Sequence, residues 1–387
     1  MTAYNETDLR NAQVQELAHE AFTARYIDEA SYGRILQGHP VHLYTPNYFI
    51  RVGLTLLTLV CTLFSAGLFA LFFHVSGEGS FITSAVILAI CCYGFLEFMV
   101  KTKNYYNAGI DNALSVFAFL FITGAFCIST YPHKEIIVCF VALLAAAWLC
   151  IRFADAFMGL IAYLALLALT YYTYSSIGGF FRETVFLPLM LLSVLFYIIA
   201  GRCITANRFA QYRPVLQSLK AASLVSFYAA GNYYVLMLLI THEFDTTFVR
   251  HNVWTWFFWI FTLVMPVVYI IAGIQKKDIL WIRTGLCLVA AGVFTFRNYY
   301  HLLDTEEIMI LAGLVLTGVS YALIRYLAIP HRGFTAAHTG VQSKAMQQAE
   351  ALIIAQSLGK PAAAPESGGV HFGGGSGGGG GDRKSVV

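Results

Sequence analysis

Charge is scarce in this chain. Only 12% of its 387 residues are Asp, Glu, Lys or Arg, while 58% are hydrophobic; a soluble domain carries about 25% charged residues. The formal charge is only +3, and Lys and Arg form no cluster with interleaved aromatic residues of the kind that binds nucleic acid. We therefore expect the lipid bilayer as the main environment and no nucleic-acid partner.

Signatures of catalysis and of metal binding are also missing. The eight cysteines form no Cys-x-x-Cys pair and have no His at metal-ligand spacing, which favours small buried hydrophobic residues. Outside the Gly-rich end, nucleophile-elbow, nucleotide-binding and metalloprotease motifs do not occur. The densest group of possible ligands, His242 with Glu243 and Asp245, lacks metal-ligand spacing. We predict no catalytic residue, no metal and no cofactor.

Long apolar stretches dominate what is present. Crossing a hydrocarbon core of about 30 Å takes about 20 apolar residues, and in lipid each backbone polar group must be satisfied within its own segment, which favours helices. The sequence therefore predicts an all-α, polytopic transmembrane helical bundle of about ten spans. These spans are 52–73, 81–100, 110–128, 136–151, 156–172, 185–200, 219–240, 254–274, 279–296 and 308–327.

Positive charge predicts the orientation of the bundle, because Lys and Arg are retained in the cytoplasm during insertion. With the N-terminus inside, the outer side holds only Lys134, Arg182, Arg250 and Arg297. The inner side holds Arg34, Arg51, Lys101, Lys103, Arg152, Arg202, Arg208, Arg213, Lys220, Lys276, Lys277, Arg283, Arg325, Arg332 and Lys344. Both termini are predicted to be cytoplasmic.

The apolar run 136–172 is interrupted only by Arg152, Phe153, Ala154 and Asp155. Reading the run as one crossing would place the basic connection 201–218 outside, so we predict a tight helical hairpin.

Three regions follow from this layout. Residues 1–47 form a cytoplasmic helical segment, with a break near Tyr26 and Asp28 as the N-cap of a second helix. Residues 48–330 form the bundle. Residues 331–387 form a cytoplasmic tail, with an amphipathic helix at 341–358 and a Gly-rich end that is too polar to order itself.

Ionisable side chains inside the spans are the first candidates for a site, because each is costly in lipid. Glu97 precedes Lys101 by one helical turn, which predicts either a same-face ion pair or a proton or cation site. Asp111 begins the third span, where it serves either as a first-turn acid at the positive end of the helix dipole or as part of the same site.

Two more polar residues complete the candidate set of Glu97, Asp111, Asn232 and Arg283 for substrate or ion binding. Arg283 either extends to the headgroups or turns inward to pair with Glu97 or to hold a carboxylate or lipid phosphate. Asn232, in the seventh span, needs partners for its amide. Either interhelical hydrogen bonds or a polar cavity next to Gly231 would supply them.

Three short stretches carry a family resemblance: Tyr44-Thr-Pro-Asn-Tyr-Phe-Ile-Arg-Val-Gly53, Asn-Ala-Gly-Ile-Asp-Asn at 107–112, and Gly231-Asn-Tyr-Tyr234. With the helical N-terminal segment, the many spans and the Gly-rich tail, the chain resembles a family of bacterial multi-pass inner-membrane proteins without an assigned function. The resemblance covers most of the chain. It implies a location in the inner (plasma) membrane and transfers no activity.

Three function classes remain open at this point. The first is a transporter-like bundle that binds or moves a small solute, a proton or a lipid between its spans. A membrane-anchored scaffold or sensor would instead recruit a cytoplasmic protein partner through the helices at 6–37 and 341–358. The third, a lipid-modifying membrane enzyme, would need a polar cavity that opens to the bilayer and carries an acid or a histidine.

Overall fold

The computed structural model describes residues 2–23, 26–128, 131–178, 181, 184–206, 209–235 and 254–300, with seven separate positions between 310 and 325. These residues form helices and no β-strand, with one isolated backbone bridge between Tyr44 and Tyr105. The α-helices are α1 (Glu6–Thr23), α2 (Glu29–Gly38), α3 (Tyr48–Phe72), α4 (Glu78–Lys103), α5 (Ile110–Ile128), α6 (Lys134–Phe153), α7 (Ala156–Ser176), α8 (Phe186–Thr205), α9 (Arg213–Gly231), α10 (Trp254–Lys276) and α11 (Ile279–Tyr300).

Eight of these helices, α3 to α8 together with α10 and α11, are long and apolar enough to cross a bilayer. The predicted all-α membrane architecture is confirmed to that extent. The seventh predicted span is described only in part, because α9 ends at Gly231 and residues 236–253 lie outside the described residues. Of the tenth, 308–327, the separate described positions are helical. The count of ten and the orientation stay predictions.

Helices that follow one another in sequence form the closest pairs: α4 with α5, α6 with α7, α8 with α9, and α10 with α11. The short connections make each pair antiparallel. Consequently α4, α6, α8 and α10 end where α5, α7, α9 and α11 begin. We call this the basic end of the bundle, because it carries Arg51, Lys101, Lys103, Arg152, Arg202, Arg213, Lys276 and Lys277.

The predicted hairpin at 136–172 is confirmed. Helix α6 ends at Phe153, Ala154 takes a left-handed conformation with φ 50°, and α7 starts at Ala156. Asp155 is the N-cap, and its carboxylate accepts hydrogen bonds from the backbone N–H groups of Phe157 and Met158 at 2.8 and 3.4 Å. This capping stops one helix and starts the next within two residues.

The helices bury two main hydrophobic clusters. The first cluster lies among helices α4, α5, α6 and α7 and includes Leu96, Phe117, Leu149 and Met158. The second lies among α9, α10 and α11 and includes Tyr228 and Phe261. Apolar side chains also cover much of the outer surface, and α3 buries none of its apolar window. Such a surface suits lipid contact.

The N-terminal helices pack on each other and reach the bundle at a few points. Asp28 caps α2 as predicted, accepting a hydrogen bond from the Ser31 N–H at 3.3 Å. Of the residues in α1, only Leu9 and Ala18 are buried. The predicted tail helix 341–358 and the Gly-rich end lie outside the described residues.

Candidate functional site

A polar cavity of about 380 Å³ lies at the basic end, between the starts of α3, α5 and α7. Its walls combine two carboxylates, one guanidinium, several amides and hydroxyls, and aromatic rings. The lining residues are Tyr4, Arg51, Leu96, Tyr106, Asn107, Asp111, Asn112, Ser115, Phe153, Ala154, Asp155, Ala156, Phe157 and Pro214. We call it the Asp111–Asp155 cavity.

Asp111 lies in the first turn of α5, and only 6% of it is exposed. One carboxylate oxygen accepts from the Gly109 N–H at 2.9 Å, and the other accepts from the Asn107 N–H at 2.6 Å. The carboxylate therefore holds the loop that leads into the helix. The first-turn acid predicted from the sequence is present, and it also lines the cavity.

The loop before α5 has an unusual backbone, with positive φ at Asn104, Asn107 and Gly109. A Cβ at Gly109 would collide with the carbonyl oxygen of Arg51 and the hydroxyl of Thr55. Only glycine allows both this backbone conformation and this close approach to α3. The loop is thus pressed against the start of α3.

Arg51 in α3 and Tyr44 in the segment before α3 bond to this loop. The Arg51 guanidinium donates to the Asn107 side-chain oxygen. The Tyr44 N–H donates to the Asn104 carbonyl at 2.9 Å, and the Tyr106 N–H donates to the Tyr44 carbonyl at 3.2 Å. Two of the stretches behind the family resemblance, 44–53 and 107–112, therefore meet at one wall of the cavity.

Asp155 provides the second carboxylate. While one of its oxygens caps α7, the other accepts a hydrogen bond of 3.1 Å from the Ser115 hydroxyl on α5. Ser115 is almost fully buried. This bond fixes the separation of α5 and α7 at the cavity.

Tyr4, from the segment before α1, also lines the cavity. It is buried, and its ring meets that of Tyr106 edge-on with 5.1 Å between centroids. Burial, with the nearby charges of Asp111 and Asp155, raises the pKa of Tyr4 well above its ordinary value. Burial and the charge of Glu16, followed by Asp111 and Asp155, also raise the pKa of Tyr106. Both phenols stay neutral, and the acidic groups of the cavity are the carboxyl groups of Asp111 and Asp155.

Glu97 lies beside the cavity and does not line it. Its carboxylate pairs with Lys101 at 2.8 Å, so the predicted same-face ion pair is present, and it also pairs with Arg152 at the end of α6. The Arg152 partner was not expected from the sequence, because it requires α4 and α6 to lie side by side. The Glu97 carboxylate thus forms ion pairs with two cationic side chains.

Asn232 belongs to a separate network in the other half of the bundle. Its side-chain oxygen accepts from the N–H groups of Tyr234 and Val235 at 2.9 and 3.3 Å, restarting a helix after the break at the end of α9. Its amide nitrogen donates to Tyr228 and Thr295, both at 3.1 Å. The bond to Thr295 on α11 is an interhelical bond of the kind expected for a buried amide in lipid.

Arg283, the fourth candidate, is exposed on α11. Glu97, its proposed inward partner, is paired with Arg152 and Lys101. The structure brings Glu97 and Asp111 to the same end of one helical hairpin and places Asn232 and Arg283 elsewhere.

Several cavity residues were not singled out in advance as site residues. Tyr4 lies in a polar segment with no apolar run to mark it. Arg51 counted only as an inner positive charge, and Asp155 only as a break in an apolar run. An acid within such a run, at the start of a span, was the available signal for Asp155.

No group of three or more His, Cys, Asp or Glu side chains in the described part of the chain is arranged to hold a metal ion. Comparisons of the sequence with models of protein families and with curated proteins find no match. The geometry of the chain itself must therefore carry any functional conclusion.

Proposed function

We propose that this integral membrane protein is a transporter-like bundle that binds a small solute with a cationic group in the Asp111–Asp155 cavity. The observation that supports the proposal is the cavity itself. A space of about 380 Å³ is large enough for a small molecule, and its lining holds two carboxyl groups against one guanidinium.

The lining chemistry favours a cation. Asp111 and Asp155 supply negative charge, and the rings of Tyr4, Tyr106 and Phe157 supply π faces that attract cations. Arg51 is held at one side by Asn107 and offers a place for an anionic or hydrogen-bonding group of the same solute. A small amine, with or without a carboxylate, has this chemistry.

The orientation is part of the proposal. The positive-inside rule puts the basic end, and with it the mouth of the cavity, in the cytoplasm. The family resemblance adds a location in the bacterial inner membrane. Glu97 then serves the site indirectly, by fixing the end of α6 next to Phe153 and Asp155.

Thermal unfolding of the purified full-length protein tests the binding step. At matched ionic strength, ethylammonium and tetramethylammonium chloride are compared with sodium chloride and sodium acetate. A ligand that binds only the folded state stabilises it by RT ln(1 + [L]/Kd), so we expect the organic cations to raise the Tm by a few degrees and sodium acetate to have no such effect.

Variants distinguish cavity binding from a general salt effect. Asp155→Asn should abolish the Tm increase, whereas Asp278→Asn, at the basic end of the other half, should retain it. An equal increase in both variants, or none with any cation in the wild-type protein, would overturn the proposal. Uptake of a stabilising amine into vesicles containing the protein separates a transporter from a sensor, which binds without uptake.

A further inference from the structure

We infer that residues 2–9 form a lid that opens and closes the Asp111–Asp155 cavity. This inference goes beyond solute binding, because it concerns access to the cavity and holds for any occupant. The lid is a short segment outside the bundle: Tyr4 lines the cavity, whereas Thr2 and Glu6 line a neighbouring space beside Tyr212.

Tyr4 is the closing element. It is buried in the same cluster as Leu96, Phe117 and Phe153, although it precedes the first helix of the chain. The edge of its ring contacts Tyr106, and both residues line the cavity. Withdrawing this one side chain would open the cavity on the side of the N-terminal segment.

Two further contacts hold the lid. The Ala3 N–H donates to the carbonyl of Arg152 at 2.7 Å, satisfying one of the carbonyls left without a partner at the end of α6. Leu9, in the second turn of α1, is only 2% exposed and belongs to the same buried cluster. Tyr4, Ala3 and Leu9 thus attach the lid to the bundle, and the Asp8 carboxylate contacts the His42 ring at 3.5 Å.

The rest of the N-terminal unit is attached away from the cavity. Along α1, Asn11 and Gln15 donate to the carbonyls of Pro40 and His39 at 2.8 and 2.6 Å. This anchorage allows residues 2–9, including the start of α1, to detach while the rest of α1 stays on the segment that leads to α3. A segment with few buried contacts that is tethered at its far end opens locally at low free-energy cost.

Thiol accessibility tests the lid. Ser115→Cys places a reporter thiol on the buried wall, and Pro214→Cys places one on the exposed rim. Labelling by a water-soluble methanethiosulfonate is followed at each position by mass spectrometry of the full-length protein. Adding Tyr4→Ala should speed labelling at position 115 by about tenfold or more, because the open state becomes populated, and should leave position 214 unchanged.

Matched controls define the outcome. Tyr26→Ala removes an exposed tyrosine from the same N-terminal unit and should not change labelling at position 115. Tyr4→Phe keeps the ring and should behave like the wild type. Unchanged labelling at 115 in folded Tyr4→Ala protein would overturn the lid.

A measurement on the unaltered protein covers the case in which Tyr4→Ala does not fold. In hydrogen exchange, the amides of residues 3–9 should exchange well before those of 113–118 in α5. Exchange of both segments at the same rate would overturn the inference, because the lid would then open only when the bundle unfolds. Neither readout requires a bound solute, so the lid and the proposed binding function can fail separately.

Discussion

Glu97 on α4 and Arg152 on α6 form an ion pair between residues 55 positions apart, at the point where both helices approach the basic end. Across the cavity, Ser115 on α5 and Asp155 before α7 form a second polar link. These two links join the hairpins α4–α5 and α6–α7, and Trp148 on α6 also donates to the Tyr93 hydroxyl on α4 at 3.2 Å. Removing the Glu97–Arg152 pair should destabilise this end of the bundle.

Glu97→Gln tests the first link. The substitution leaves the partly buried Arg152 without its carboxylate, so we expect the free energy of unfolding to fall by about 1–3 kcal/mol. Lys101→Gln removes the outer partner, which is 58% exposed, and should cost less than about 1 kcal/mol. Thermal unfolding of both variants in detergent measures the difference, and equal losses would contradict this account of the ion pair.

Gly109→Ala tests the close contact between the loop before α5 and the start of α3. With φ at +95° and the Arg51 carbonyl directly opposite, an added methyl group forces the two segments apart, and we expect a loss of about 2–4 kcal/mol. A Cβ at Gly124, within α5, would meet no atom within 4 Å, so Gly124→Ala is a matched control. That control should be neutral or slightly stabilising in the same unfolding assay.

Asn232→Leu should destabilise the second half of the bundle by about 1–3 kcal/mol, because it removes the cap of the helix that restarts there and the link to Thr295. Asn232→Ser keeps a cap acceptor and should lose less. Thermal unfolding ranks the two variants against the wild type. Similar stabilities for all three would mean that the break is held by packing alone.

Asp278 makes the stability of the fold depend on pH in the acidic range. Partial burial opposes its ionisation, but hydrogen bonds from Lys220 and from the Leu280 N–H, with the charge of Lys276, lower the pKa of Asp278 overall. A lowered pKa contributes stability above the ordinary value of about 3.9, and that contribution is lost as the pH falls through the lowered pKa.

We therefore expect Asp278→Asn to be less stable than the wild type at neutral pH and to lose less stability on acidification below about pH 4. Tm values measured across pH give the comparison. Lys220→Met supplies the other arm of a double-mutant cycle, and purely additive effects would show that the two side chains do not interact.

Sided labelling tests the orientation. Cysteines introduced at Lys103 and Lys277 lie at the basic end, whereas cysteines at Glu78 and Lys134 lie at the opposite end. In intact cells, an impermeant thiol reagent should label only the second pair. Labelling of the first pair instead would show that the basic end faces outward, opposite to the predicted topology.

The sequence predicted the helical bundle, the α6–α7 hairpin and the Glu97–Lys101 pair because each depends on residues close together in the chain. Apolar length, a four-residue interruption and a spacing of one helical turn were sufficient signals. Asp111 was singled out for the same reason, as an acid at the start of a span.

The cavity was not predictable in this way. It depends on which helix starts converge at the basic end, and this convergence places Tyr4, Arg51 and Asp155 around one space. Asn232 is the opposite case. It was selected as a candidate because it is a polar residue within a span, and in the structure its side chain caps the helix that restarts after α9. Local pattern identified polar residues inside the spans, but only tertiary packing distinguished structural partners from cavity walls.

The turn between α6 and α7 has a consequence for evolution of this chain. Within four residues it supplies Arg152 to Glu97, the Arg152 carbonyl to Ala3, and Asp155 to Ser115. Inserting a single amino acid there would lengthen a turn of two residues and displace Asp155 from the position at which it both caps α7 and accepts from Ser115. Length variation should therefore be tolerated least at this connection.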